Sequence, residues 1–178
     1  VRGLDLRDVA RAVQTCRGLR AAGGPGAAAL VGLEDANEDV RKAAVRALAA
    51  LGEHAAPHAD AIAARLEDTG WCVRLGAIHA LGALGERAAP YAGAFAARLE
   101  DTKWCVRLAA MQALGALGEL AAPHADAIAA RLEDTEWCVR AAAVKALAAL
   151  SEHAAPYAGA FAARLEDTEW CVRAAAVK

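Results

Sequence analysis

The tripeptide Leu-Glu-Asp begins at Leu33, Leu66, Leu99, Leu132 and Leu165, so one 33-residue interval, that from Leu33 to Leu66, recurs along most of the chain. Pro57, Pro90, Pro123 and Pro156 keep the same step, as do Trp71, Trp104, Trp137 and Trp170. A period of this length belongs to architectures in which each repeat buries its apolar face only against its neighbours. A finer alternation lies over it. His58-Ala59-Asp60-Ala61-Ile62 gives way to Tyr91-Ala92-Gly93-Ala94-Phe95, and both patterns recur from His124 and Tyr157. The copied unit is therefore a pair of repeats.

Each period reads as two helices. The first is expected from about Pro57 to Glu67, with proline in the first turn, where a missing N–H costs nothing, and with Ala59, Ile62, Ala63 and Leu66 on one face. The second is expected after Asp68-Thr69, either of which can cap it, and runs to about Leu84 with Val73, Ala77, Leu81 and Leu84 as its buried stripe. Gly85 then supplies a residue that tolerates a left-handed backbone. Strand alternation and hairpin signals are absent from the sequence. The fold class that follows is all-α, a right-handed α-solenoid of stacked antiparallel helix pairs over residues 25–178. Residues 1–24 fall outside the period; Leu6, Val9, Val13 and Cys16 form one stripe there, expected as an N-terminal capping helix or a degenerate repeat. Lys178 falls inside a second helix, at the register of Lys145, so the last repeat is truncated and a longer array is expected, without a signal peptide.

Composition narrows the function. Hydrophobic residues make up 57% of the chain but aromatics only 4%, so alanine carries much of the apolar content and lets helices approach closely. A formal net charge of -2 argues against a general nucleic-acid binder. Arg, Glu and Asp recur often enough that no membrane span is expected.

The repeats resemble the short HEAT-like family and are similar to the HEAT-like repeats of phycobilisome lyases. The resemblance rests on Asp, then Val five residues later, then Arg: Asp68, Val73, Arg74; Asp101, Val106, Arg107; Asp134, Val139, Arg140; Asp167, Val172, Arg173; and, in the first copy, Asp35, Val40, Arg41. Ankyrin and tetratricopeptide repeats place different residues at their turns and helices. Membership implies a ladder between neighbouring repeats, here Asp68, Arg74, Asp101, Arg107, Asp134 and Arg140. It also implies roles that range from transport receptors to phosphatase scaffolds. The short period and the early position of the proline depart from the family pattern.

Chemistry-bearing residues point away from catalysis. Cys72, Cys105, Cys138 and Cys171 share one register, with Cys16 apart; neighbouring copies lie about 10 Å apart, the spacing of packed helices. A disulfide needs Cα atoms within about 7 Å, so free thiols in a reducing intracellular compartment are expected. The histidine and cysteine spacings fit no zinc site. His54 and His153 follow Glu in loops, His58 and His124 sit in first turns, and the near absence of serine removes a Ser-His-Asp nucleophile. Neither cofactor, metal nor catalytic residue is expected.

Two surfaces remain for binding. Trp71, Trp104, Trp137 and Trp170 form a row that either packs across repeat junctions, over the Arg three residues on, or offers an aromatic ladder to a peptide; packing is the expectation, as it is for Tyr91 and Phe95. The second helices also carry a ridge opposite their buried stripe: Lys42 and Arg46, Leu75 and His79, Leu108 and Gln112, Ala141 and Lys145, Ala174 and Lys178. This ridge changes from repeat to repeat and carries no acid. It suits a protein partner with an acidic segment and an apolar anchor. The sequence thus reads as a protein-binding scaffold, a structural or assembly subunit whose concave ridge recognises its partner. The alternatives are an enzyme or chaperone of the phycobilin lyase type and a nucleic-acid-binding HEAT-like protein.

Overall fold

The computed structural model describes residues 29–177, so the expected N-terminal helix, Cys16 and Lys178 lie outside the described residues. The chain divides into two compact units, Val1–Leu84 and Gly85–Lys178.

In the first unit a helical turn at residues 29–32 precedes α1 (Glu38–Ala49), α2 (Ala59–Ala63) and α3 (Trp71–Gly82). The second unit holds α4 (Ala92–Ala97), α5 (Trp104–Leu117), α6 (Ala125–Ala130), α7 (Trp137–Ala148), α8 (Ala158–Arg164) and α9 (Trp170–Ala176). Even-numbered helices are the first helices of their repeats and odd-numbered helices the second. Among the described residues there is no strand.

Each second helix lies against its own first helix and against the next second helix of its unit. Thus α1 packs on α3, α5 on α7 and α7 on α9, while α2 packs on α3, α4 on α5 and α6 on α7. Val73, Ala77, Leu81 and Leu84 are buried as the 3.6-residue period requires. Ile62 and Leu66 join them from the first helix, with Ala63 only half-buried. In the second unit the equivalent core holds Phe95, Leu99, Val106, Met111, Leu114, Ile128, Leu132, Val139, Val144 and Leu147. Small residues allow the close approach: a Cβ at Gly76 would stand 2.5 Å from Val45 Cγ2.

The first helices differ from their expected form. Helical turns begin at Gly52, five residues before Pro57, and run as a 3₁₀ segment, Gly52–His58, before the short α2 and a closing 3₁₀ turn, Ala64–Glu67. Pro57 sits inside that 3₁₀ segment. A 3₁₀ turn has the φ that the proline ring enforces, and its short runs tolerate one missing N–H. The end of each second helix follows the expectation for Gly85, which takes φ +62°, with Gly52 and Gly118 at +55°. Ser151 occupies the same register at φ +53° without the freedom of glycine.

The helix starts also differ. The residue flanking the start is Gly70, Lys103, Glu136 or Glu169, and none caps through its side chain. Asp68, Asp101, Asp134 and Asp167 instead accept the backbone N–H of that residue at 2.9–3.0 Å, closing the loop two residues ahead of the first helical turn. Thr69 is exposed.

One helical stretch, Trp104–Glu133, is long and apolar enough to cross a membrane by length and composition, contrary to the expectation from charge spacing. It is two helices, not one rod: Gly118, at φ +55°, ends α5 and leads through a 3₁₀ segment into α6.

Candidate partner-binding groove

Bidentate ion pairs set the spacing of the repeats. Arg41 donates through Nε and Nη2 to Asp68 at 2.7 and 2.8 Å. Arg107 grips Asp134 in the same way at 2.8 and 2.7 Å, and Arg140 grips Asp167 at 2.9 and 2.9 Å. The remaining Nη1 of each guanidinium donates to the carbonyl of its own loop, Asp35, Asp101 and Asp134 respectively. One arginine therefore ties two consecutive loops together, a geometry that needs the planar guanidinium fork. Of the other predicted members, Arg74 donates to the Asp68 carbonyl at 2.8 Å, and Asp101 accepts the Lys103 N–H at 2.9 Å. Arg41 and Asp167 belong to the same geometry, although the predicted ladder named neither.

The electrostatics follow from these bonds. Hydrogen bonds from Arg41 hold the Asp68 carboxyl below its ordinary range, against the effect of burial. At Asp134 burial is the largest influence and opposes ionisation, yet the bonds from Arg107 and the Glu136 N–H together outweigh it, so its carboxyl is also lowered. Asp167 is lowered to about 2, chiefly by Arg140.

A second row of arginines was not anticipated. Arg65 reaches back to the Leu33 carbonyl at 3.0 Å, Arg131 to that of Leu99 at 3.4 Å and Arg164 to that of Leu132 at 2.7 Å. Each satisfies an orphan carbonyl at the end of the preceding first helix. The signal was in view, since Arg65, Arg98, Arg131 and Arg164 keep the 33-residue step from Arg65 to Arg98. In the second unit the alternating positions of neighbouring repeats meet: Tyr157 donates to Asp126 at 2.6 Å, and a Cβ on Gly93 would stand at ordinary contact distance, 3.7 Å, from the His124 ring.

The ridge residues are unequally open. Arg46, His79, Gln112 and Lys145 are exposed, Lys42, Leu75 and Leu108 are half-buried, and Ala141 is buried. The tryptophan row departs from the packing expectation. Trp71 is 39% exposed, Trp104 47%, Trp137 46% and Trp170 69%. Each is the first residue of its helix, and its Cβ points back toward the helix start, beyond the stripe that begins at Val two residues later.

In the second unit the row and the ridge meet. An open groove of about 640 Å³ runs over α5, α7 and α9 and is lined by Leu108, Gln112 and Lys145 together with Trp137 and Trp170. Its floor is small: Gly115, Ala141, Ala142, Ala146, Ala174 and Ala175. Cys138 and Cys171 lie along it as half-buried free thiols, and burial pushes the Cys138 thiol up, away from the reactive thiolate. Cys72 and Cys105 are likewise unpaired. His54 and His153 are exposed within 3₁₀ segments instead of loops. Among the described residues no group of three or more His, Cys, Asp and Glu side chains could hold a metal ion.

Helix pairs stacked in this way define an α-solenoid of the armadillo and HEAT type. The chain is built of HEAT repeats: the models for HEAT repeats match residues 26–92 and 126–154. Solved structures agree on the fold. A complex of CpcE and CpcF of the phycocyanin lyase from Nostoc sp. PCC7120 is 26% identical with a TM-score of 0.68, over 85% of this chain and 62% of that one. A designed armadillo repeat protein in complex with the peptide (KR)4 is 16% identical with a TM-score of 0.74, over 99% of this chain and 93% of that one. An engineered protein at 19% identity has a TM-score of 0.73, over 93% of this chain and 81% of that one. No curated protein matches the sequence.

Proposed function

We propose that this chain is a protein-binding scaffold, a subunit of a larger assembly, whose second-helix ridge recognises an acidic segment carrying an apolar anchor. The observation that carries this reading is the open groove where Leu108, Gln112 and Lys145 share one surface with two exposed tryptophans. Aromatic rings at the wall of a concave, mostly apolar site are common anchors of binding energy. Lys145 supplies the positive charge at this groove, and Lys42 and Arg46 supply it on α1 of the first unit, so complementary charge steers an acidic partner. The Arg–Asp ladder holds the helices beneath it and has a structural role.

Affinity purification of the full-length protein with mass spectrometry tests the reading. A partner retained by the native protein is expected to be lost with Leu75→Asp and Leu108→Asp while helical content stays intact. Reversing Lys42, Arg46 and Lys145 to Glu slows association and reduces its salt sensitivity. Recovery of the same partner by every variant refutes the ridge assignment. The 26% identity to the CpcE and CpcF structure favours one second reading, an enzyme or chaperone of the phycobilin lyase type. A bilin retained on purification, or transferred to an acceptor protein, distinguishes it.

A further inference from the structure

We propose, on the footing of the scaffold reading, that the partner's apolar anchor enters at Ala141 and Ala174, between Trp137 and Trp170, with a neighbouring carboxylate directed to Lys145. Of the two leucines the sequence favoured as the centre of the ridge, Leu75 does not line the groove and Leu108 stands at its edge, beside the two alanines. One register of the second helices carries Lys42, Leu75, Leu108, Ala141 and Ala174 in succession. The change from leucine to alanine removes an isopropyl group at two consecutive repeats, and the 640 Å³ groove opens there. Gly115, Ala142 and Ala175 keep its floor low. The Trp137 side chain, 46% exposed, is not spent on the core, and Trp170 lines the same groove.

Charge complementarity selects the occupant. Of the described residues that line the groove, Lys145 alone carries a formal charge, and no carboxylate faces it. A cationic segment would bring its charge against Lys145 with nothing to neutralise it. A polypeptide segment with one bulky apolar side chain, followed or preceded closely by Asp or Glu, satisfies both the cavity and the lysine. The rings supply a flat apolar surface and an indole N–H each for its backbone.

Three labelled 12-residue peptides test the assignment by fluorescence polarisation against the full chain: one of Ser and Glu with a central Phe, the same with Ala at the centre, and one with Lys in place of every Glu. The Phe/Glu peptide is expected to bind most tightly and to shift tryptophan emission. Removing the Phe side chain should weaken it roughly ten- to hundredfold, the worth of one buried apolar side chain. Ala141→Leu with Ala174→Leu fills the cavity with the residue the chain itself places at 75 and 108. That variant should erase the preference for Phe over Ala and leave the melting temperature unchanged. Should the double variant melt early, Ala174→Leu alone, at an exposed position, carries the test. Equal binding of the Phe and Ala peptides overturns the proposal, as does a Phe preference that survives filling. Self-association that filling abolishes also overturns it, since the occupant is then a second copy of the chain. A native partner lost with Leu108→Asp but indifferent to filling sinks the anchor site and spares the scaffold; a partner indifferent to both sinks the scaffold reading itself.

Discussion

Replacing Asp134 by Asn removes one negative charge from the junction between α5 and α7 and leaves Arg107 half-answered. The Asp134 side chain is 3% exposed and that of Arg107 12%, so neither can turn to water. The pair contributes two charge-assisted bonds at 2.7 and 2.8 Å. Removing one partner of a buried pair costs about 3–5 kcal/mol. Arg107 keeps its bond to the Asp101 carbonyl, and Asn can still accept the Glu136 N–H, which brings the expected loss to about 2–3 kcal/mol. For a chain of this size each kcal/mol moves the melting temperature by about 2–4 °C. The comparison is Glu100→Gln, which removes a pair to Arg131 whose carboxylate side is 73% exposed and should cost at most about 0.5 kcal/mol. Urea titrations followed by circular dichroism, with hydrogen exchange to place the loss at α5 and α7, measure both. The sign with pH is fixed by the lowered carboxyl. Its stabilisation is full above the ordinary value of 3.8 and is lost as pH falls through the depressed folded value. The gap between native protein and Asp134→Asn should therefore be constant near neutrality and close below about pH 4. Equal losses for Asp134→Asn and Glu100→Gln, or a gap that widens in acid, would refute the reasoning.

Ser151→Gly relieves a side chain held at φ +53° and should raise stability by about 1 kcal/mol, with the reverse change, Gly118→Ser, lowering it in the same thermal melt; no gain at Ser151 contradicts the strain. Trp104→Ala should cost only roughly 1–2 kcal/mol, because its ring is 47% exposed, and a loss of about 3–5 kcal/mol, the cost of an interior cavity, would show a buried ring. Asp167, lowered to about 2 by Arg140, should contribute roughly 1–2 kcal/mol after solvent screening. That contribution is present above about pH 4 and disappears toward pH 2, so Asp167→Asn should lose the part of the acid transition that native protein shows in that window.

The sequence alone determined the period, the helical class, and the buried stripe at Val73, Ala77 and Leu81. These are properties of spacing along one chain, and a 33-residue step repeated from Leu33 to Leu66 and onward leaves few ways to bury apolar faces. Gly85 as a helix end was legible for the same local reason. Only the tertiary structure decided what each exposed-looking residue faces. Identical tryptophans in every repeat suggested packing, but exposure depends on the angle at which neighbouring helices pass, and the four side chains are left 39–69% exposed. The ridge and the tryptophan row were legible as two lines; their meeting in one groove depends on α5, α7 and α9 lying side by side with alanine where two earlier repeats have leucine. Arg65, Arg131 and Arg164 were periodic in the sequence, yet their carbonyl partners lie some thirty residues away and are found only once the repeats stack. Periodicity is a local property of the polymer; burial and partnership are properties of what lies next to it in space.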